Sequence, residues 1–295
     1  MYYRRKIILA LMQVFGGRLE KISLQKLLLL FTKRQLKPAY EFVPFKFGAY
    51  SFSLVADNKA MIGHGLITEV DDKYYQKIDN KDYTLELITD DLTILKNIAA
   101  ELKNSADSKD LMRLTYTKYP YYAINSVCAL DLLSPSKYEQ VLRNKPCNDQ
   151  TTLYTIGYEG ISIENYFNRL IKNDIKVLVD VRRNAISMKF GFSRKQLALQ
   201  CEKLKIIYIH IPEVGIASSG RQSLHTQDDY DDLFNFYKSN TLAHTIEQQR
   251  EIIKLLSNHS RIALTCFEAN INQCHRKHLS EAIVQINGGL RLQHI

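Results

Sequence analysis

The spacing of apolar positions changes near the middle of the chain. In the first half it is mostly helical. A run from about Arg4 to Phe15 predicts a first helix, stopped at Gly16 and Gly17. Ser23 is placed as the N-cap of a second helix that carries Leu24, Leu27, Leu28 and Phe31 on one face. Pro44 and Gly48 break the pattern before a third helix over roughly 51–62, which ends near Gly63. "LITEV" and "KYYQKI" alternate on either side of Asp71 and Asp72, which predicts a hairpin. Helix, helix, helix, hairpin is the order of a winged helix. Further helices over about 90–104, 107–117 and 121–131 complete a mainly α domain.

The second half carries four short, β-branched apolar segments: "TLYTIGY" (152–158), "IKVLVDV" (175–181), "KIIYIHI" (205–211) and "RIALTCF" (261–267). Near-continuous apolar character over so few residues is the mark of buried parallel strands. Helical stretches over about 162–173, 193–204, 242–257 and 274–286 alternate with them. The prediction is an α/β fold with a mostly parallel sheet and helices on both faces. "RNKPCNDQTT" (143–152) is polar, contains Pro146 and separates the two patterns. Two domains are therefore expected, over 1–145 and 150–295.

Composition narrows the class. The chain has 295 residues, 45% hydrophobic and 24% charged, which is ordinary for a globular protein. No apolar run reaches the eighteen or so residues of a membrane span, so a cytoplasmic protein without membrane contact is expected. Five scattered cysteines argue against a disulfide framework. Net charge is +9, but residues 1–60 alone carry +8, while 61–150 carry −3 and 151–295 carry +4. A basic opening segment suits a phosphate-backbone binder; its plain alternative is a solvated basic surface.

Ligands of open parallel sheets bind beyond the carboxyl ends of the strands. Those ends carry Gly157 and Tyr158; Asp180 and Arg182; His210; and Cys266 and Glu268, with Cys274, His275 and Arg276 following in "ALTCFEANINQCHR" (263–276). Cys274, His275 and Arg276 are expected in the first turn of the last helix, where free amide groups and the helix dipole form an anion seat and favour a Cys274 thiolate. Asp180 with Arg182, and Cys266 with Glu268, each share a strand face at spacing i, i+2. This suits a carboxylate acid or base beside a phosphate-binding guanidinium, and also suits plain ion pairing. Three readings of the cysteines stand: reactive thiols, zinc ligands with His210 or His275, or small buried residues. The C-x₇-C spacing matches no standard zinc module, and no metal or cofactor is assigned. "PEVGIASSGRQSLHTQDD" (212–229) has the length and composition of a binding loop, on which Arg221 would reach a phosphate.

Two resemblances follow from these residues. "LQKLLLLF…YEFVPFKFGAYSFSL…GLI" is similar to the helical N-terminal module of the YwgA-like and SocA-like (Panacea) group, with Ala49 where that group usually has proline. The resemblance implies a winged-helix-like interaction module for nucleic acid or a protein. "YTIGYEG", "LVDVRRNAIS", "KIIYIHIPEVG" and "ALTCFEANINQCHR", over about 152–286, resemble domain-of-unknown-function family 488 (DUF488). The pattern carries over at Gly157, Asp180, Arg182, Ser187, Phe190, Phe192, His210, Pro212, Gly215, Gly220, Arg221, Cys266, Glu268, Cys274, His275 and Arg276. It departs at Ala185, where proline is usual, and at Met188, often arginine, so that one basic contact is either absent or supplied by Lys189. The resemblance implies nucleic acid as the substrate class. The expectation is a DNA-directed enzyme, with DNA preferred over RNA, that excises a base or cuts a phosphodiester. Asp180, Glu268, Cys266 and Cys274 would do the chemistry. Gly157, Tyr158, Arg182, His210, Arg221, His275 and Arg276 would bind. The alternatives are a non-catalytic DNA-binding regulator, or an antitoxin-like protein that meets a protein partner or a second copy through its N-terminal domain.

Overall fold

The computed structural model describes residues 1–216 and 226–295, and the chain forms two compact units, Met1–Lys145 and Pro146–Ile295. Arg221 lies outside the described residues. No helix among the described residues is long and apolar enough to cross a membrane.

The first unit begins with α1 (Tyr3–Val14), β1 (Arg18–Glu20) and α2 (Lys21–Thr32). The hairpin β2 (Val43–Phe45) and β3 (Gly48–Tyr50) follows, then α3 (Phe52–Gly63), β4 (Ile67–Val70) and β5 (Tyr74–Lys77). β1, β5 and β4 form an antiparallel three-stranded sheet. With the β2–β3 hairpin set aside, the order is that of a winged helix. α4 (Thr89–Glu101), α5 (Ser108–Lys118), α6 (Ala129–Leu132) and α7 (Pro135–Arg143) complete the unit. The helix expected over 121–131 is instead a short 3₁₀ turn, Pro120–Ala123, followed by the single turn of α6.

Ser23 does not cap α2. The helix starts two residues earlier, and the Ser23 hydroxyl, buried inside it, donates to the Ala106 carbonyl at 2.7 Å. Every residue from Ser23 to Thr32 is buried, so α2 is central rather than amphipathic. Each enclosed leucine on it contributes about 1.5–3 kcal/mol. Its polar residues tie down the end of β3: Gln25 exchanges hydrogen bonds with the Ser51 backbone, and Lys26 Nζ donates to the Ala49 carbonyl at 2.8 Å. The hairpin turns on Gly48 (φ +83°), where the Tyr116 ring occupies the place of a side chain.

Burial lowers the Lys26 ammonium to about 7. Below that pH both the folded and unfolded chains hold its proton. Between about 7 and the unfolded value near 10.4 the unfolded chain binds a proton that the folded one lacks, so stability rises with pH. Urea titrations of the full chain between about pH 7 and 10 are expected to show this unit gaining up to about 1.4 kcal/mol per pH unit relative to Lys26→Met. Parallel pH profiles for the two proteins would refute the buried-ammonium assignment.

The second unit alternates strands and helices: β6 (Thr152–Gly157), α8 (Ile163–Lys172), β7 (Val177–Asp180), α9 (Arg194–Lys203), β8 (Ile207–His210), α10 (Gln227–Phe236), α11 (Ile246–His259), β9 (Arg261–Cys266), α12 (His275–Asn287) and β10 (Arg291–His294). The sheet is wholly parallel, in the order β10-β6-β9-β7-β8. Both β6 and β9 are buried along their whole length. Leu153, Val177, Val179, Ile262 and Leu264 share a core with Ile252 and Leu256 of α11 and with Leu279 and Ile283 of α12. The opposite sheet face meets α8 and α9, as in the hydrogen bond from Tyr166 to the Thr265 hydroxyl at 2.7 Å.

The strand order sets the position of the cleft. From β6 the chain crosses toward β7 and β8, whereas from β9 it returns toward β10. β6 and β9 are neighbours whose connections leave on opposite faces, so a crevice opens between their carboxyl ends. The register brings Gly157 level with Cys266, and Asp180 level with Thr265 and His210.

Candidate functional site

Asp180 is fully buried at the end of β7 and Arg182 is 5% exposed. Asp180 Oδ1 accepts from Arg182 Nε at 2.8 Å and from the Arg182 backbone at 3.2 Å. Its Oδ2 accepts from Arg182 Nη2 at 2.5 Å and from the Tyr208 hydroxyl at 2.6 Å. The remaining guanidinium nitrogen, Nη1, donates to the Tyr158 hydroxyl at 2.7 Å and to the Phe192 carbonyl at 2.9 Å. Burial alone would lower the Arg182 pKa, but the ion pair with Asp180 overrides it and holds the charge more firmly than usual. The pair the sequence offered as base and phosphate ligand therefore spends its hydrogen-bonding groups within the protein. Together with Tyr158, whose ring stacks on Phe192 at 4.3 Å, it forms a rigid wall.

The two histidines hold the segment that follows β7. A carbonyl can only accept, so His275 Nε2 donates to the Val181 carbonyl at 3.1 Å and His210 Nε2 to the Arg182 carbonyl at 2.9 Å. Neighbouring carbonyls are thus pinned from two elements. Arg276 works in the same way. It is 2% exposed, and its Nη1 donates to the Glu268 carbonyl at 2.6 Å and its Nη2 to the Ala269 carbonyl at 3.4 Å. Gly157 makes room for this loop, since a Cβ there would lie 2.0 Å from the Glu268 carbonyl oxygen. Glu159 closes the connection by accepting from the Ala269 amide at 2.9 Å.

Cys266, Cys274, His275 and Glu268 meet at the crevice. Successive strand residues face opposite sides, so Cys266 turns away from Thr265 and Asp180 toward α12. Its Sγ donates to Glu268 Oε2 at 3.0 Å and lies 3.7 Å from His275 Nδ1. Cys274 is the N-cap residue of α12 and makes no capping bond through its side chain. The surroundings of Cys274 work against the thiolate expected there. Burial pushes the Cys274 thiol well up, and Cys266 and Glu268 push it further in the same direction, while Arg276 opposes them too weakly. The sheet thus divides the expected constellation, with Asp180 and Arg182 on the α8–α9 side and the Cys–His–Glu group on the α12 side.

A cleft of about 350 Å³ lies above, lined by Tyr158, Arg182, Arg183, Asn184, Ile186, Ser187, Met188, Ile216, Cys266 and Phe267. Of the residues picked out in the sequence, Tyr158, Arg182, Ser187, Met188 and Cys266 reach its lining; Arg276, His210 and His275 brace it from behind. Sequence reasoning missed Tyr208 and Arg183. Tyr208 was legible in principle, since it is two residues before His210 on the same strand and so shares a face with it. Lys189, the residue that would supply the basic contact if it is not absent, donates to the Tyr158 carbonyl at 2.7 Å.

A search of curated proteins returns no match to this chain. Residues 162–283 match the model of the family described as domain of unknown function DUF488, a stretch that holds Asp180, Arg182, His210, Cys266, Glu268, Cys274, His275 and Arg276 and begins just after Gly157 and Tyr158.

Proposed function

We propose that the C-terminal unit is a nucleic-acid-processing enzyme that takes a base or nucleotide into the strand-end cleft, DNA being the preferred substrate. One observation carries this reading: the make-up of the cleft and its rim. At about 350 Å³ it suits a nucleotide-sized ligand. Arg183, Asn184 and Ser187 offer a cation and hydrogen-bonding groups, and Phe267, 42% exposed, offers a ring. On the rim, Ile186 is 76% exposed and Met188 is fully exposed. Apolar side chains held out into water beside such a cleft suit a wedge that enters a base step while the neighbouring nucleotide is turned out. Glu268, one hydrogen bond from Cys266 on the cleft floor, is the acid or base.

The test is a denaturing gel with the full chain, using end-labelled single- and double-stranded DNA that carries plain, deaminated, modified and abasic positions. Reactions run with and without divalent metal, and are read with and without alkali. Strand breaks seen only after alkali identify base excision; direct breaks identify phosphodiester cleavage. A blank gel across all substrates refutes the enzyme reading.

A second reading concerns the N-terminal unit. Arg4 and Arg5 pair with Asp57, Lys6 with Glu86, Arg18 with Asp71, Lys21 with Glu69 and Arg34 with Glu101, while Lys26 is buried. Most of the positive charge of residues 1–60 is therefore matched within the unit. A cavity of about 1060 Å³ beside it is lined by Tyr2, Tyr3, Leu36, Ala39, Ile88 and Ile94 among charged neighbours. This favours a protein segment over a phosphate backbone as the partner of this unit, in keeping with the antitoxin-like alternative.

A further inference from the structure

Cys266 closes β9, and Cys274 and His275 open α12. The seven residues between the cysteines fold back through the 3₁₀ turn Ile271–Gln273, so their separation in sequence does not keep the side chains apart. The donor atoms of Cys266, Cys274 and His275 lie within 4.8 Å of one another, and all three residues are buried. A second observation points to a ligand. His275 gives its Nε2 hydrogen to the Val181 carbonyl, and its other ring nitrogen, Nδ1, faces the Cys266 sulfur at 3.7 Å. Metal-ligating histidines are oriented in this way, with the second ring nitrogen donating to a backbone carbonyl or a carboxylate.

We propose that Cys266 Sγ, Cys274 Sγ and His275 Nδ1 bind a divalent cation of zinc's class, with a fourth position open to the cleft. Two thiolates and an imidazole suit zinc better than harder cations, which prefer oxygen. Three protein ligands with one open position is the pattern of a catalytic zinc rather than a structural one. Cys266 lines the cleft, so an ion held by its sulfur would lie beside it. Binding expels the two thiol protons to solvent. A water in the fourth position becomes acidic near neutral pH, and Glu268, two residues beyond Cys266, is placed to take its proton. The use of that water rests on the enzyme reading above; the binding of the metal does not.

The full chain, reduced and stripped with a chelator, is titrated with cobalt(II) and then with zinc. The expected result is one metal per chain and a sulfur-to-cobalt charge-transfer band that zinc abolishes. Cys274→Ser is expected to lose the band and to weaken binding by at least about 10–100-fold, the loss typical of merely disturbing a ligand's support. Cys147→Ser, a change at an exposed cysteine, is expected to keep both. A chain that binds neither metal and shows no charge-transfer band overturns the proposal, whereas product formed at full rate by the stripped chain in chelator overturns only the use of the metal-bound water. The latter result leaves the enzyme reading standing. Stoichiometric metal with a blank gel does the reverse.

Discussion

Arg182→Ala is expected to destabilise the C-terminal unit by about 3–5 kcal/mol, the usual cost of breaking one side of a buried ion pair. The substitution leaves the Asp180 carboxylate at 0% exposure with the Tyr208 hydroxyl as its remaining side-chain donor. It also removes the donor to the Tyr158 hydroxyl and the Phe192 carbonyl, loosening the ring stack that walls the cleft. Asp180→Ala is expected to be comparably harmful, because it leaves a buried guanidinium without its counter-charge. Replacing both residues by apolar ones, Asp180→Leu with Arg182→Met, is expected to cost less than the sum of the single changes, since no charge is then stranded. Chemical denaturation of the wild type and the three variants measures these losses. A loss below about 1 kcal/mol for Arg182→Ala, the value of an exposed pair, would mean that the guanidinium is not committed to Asp180 and is available to a phosphate.

That comparison also marks how far the sequence can be read. β6, β7 and β9 were legible because runs such as "KVLVD" and "RIALTC" have a character that few other environments tolerate, whereas β8, expected to be buried, is a partly exposed edge strand with Ile207 46% exposed. β10 was not legible: "RLQH" is polar and mostly exposed, and it becomes a strand through backbone pairing with β6 rather than through apolar content. The β2–β3 hairpin was hidden for a related reason. Pro44 and Gly48 break helices, but here they build a three-residue edge pairing and a tight turn. At the site, the i, i+2 spacing correctly gave Asp180 and Arg182 a common face. It does not reveal that the two side chains close on each other. The pairing register, Asp180 against Thr265, decides that Cys266 and Asp180 point to opposite sides of the sheet, and that register comes from long-range pairing. At the N-terminus, charge counted along the chain differs from charge grouped in space. A count over 1–60 excludes Glu69, Asp71, Glu86 and Glu101, which lie further along the chain but beside those cations in space.

Glu268→Gln is expected to reduce product formation by about 10²–10⁴-fold, the range for loss of a general acid or base, and to leave the unfolding transition of the C-terminal unit within about 0.5 kcal/mol of wild type. The side chain sits half-buried on the loop after β9, and the loop itself is held by backbone groups: the Glu268 carbonyl by Arg276, and the Phe267 carbonyl by the amides of Tyr158 and Glu159. Glutamine keeps these contacts, and its amide oxygen still accepts from the Cys266 thiol, but it cannot take a proton from water or return one to a leaving group. Loss of turnover with an unmoved transition therefore isolates proton transfer from folding. The variant also separates the two carboxylates of this edge. Asp180 is saturated by Arg182 and Tyr208, so Asp180→Asn should act mainly through stability, whereas Glu268→Gln should act through rate alone. Single-turnover gels with enzyme in excess, run beside denaturation curves, measure both quantities. Full activity in Glu268→Gln would remove this carboxylate from the chemistry and leave the proton to the thiol–imidazole group of Cys266 and His275.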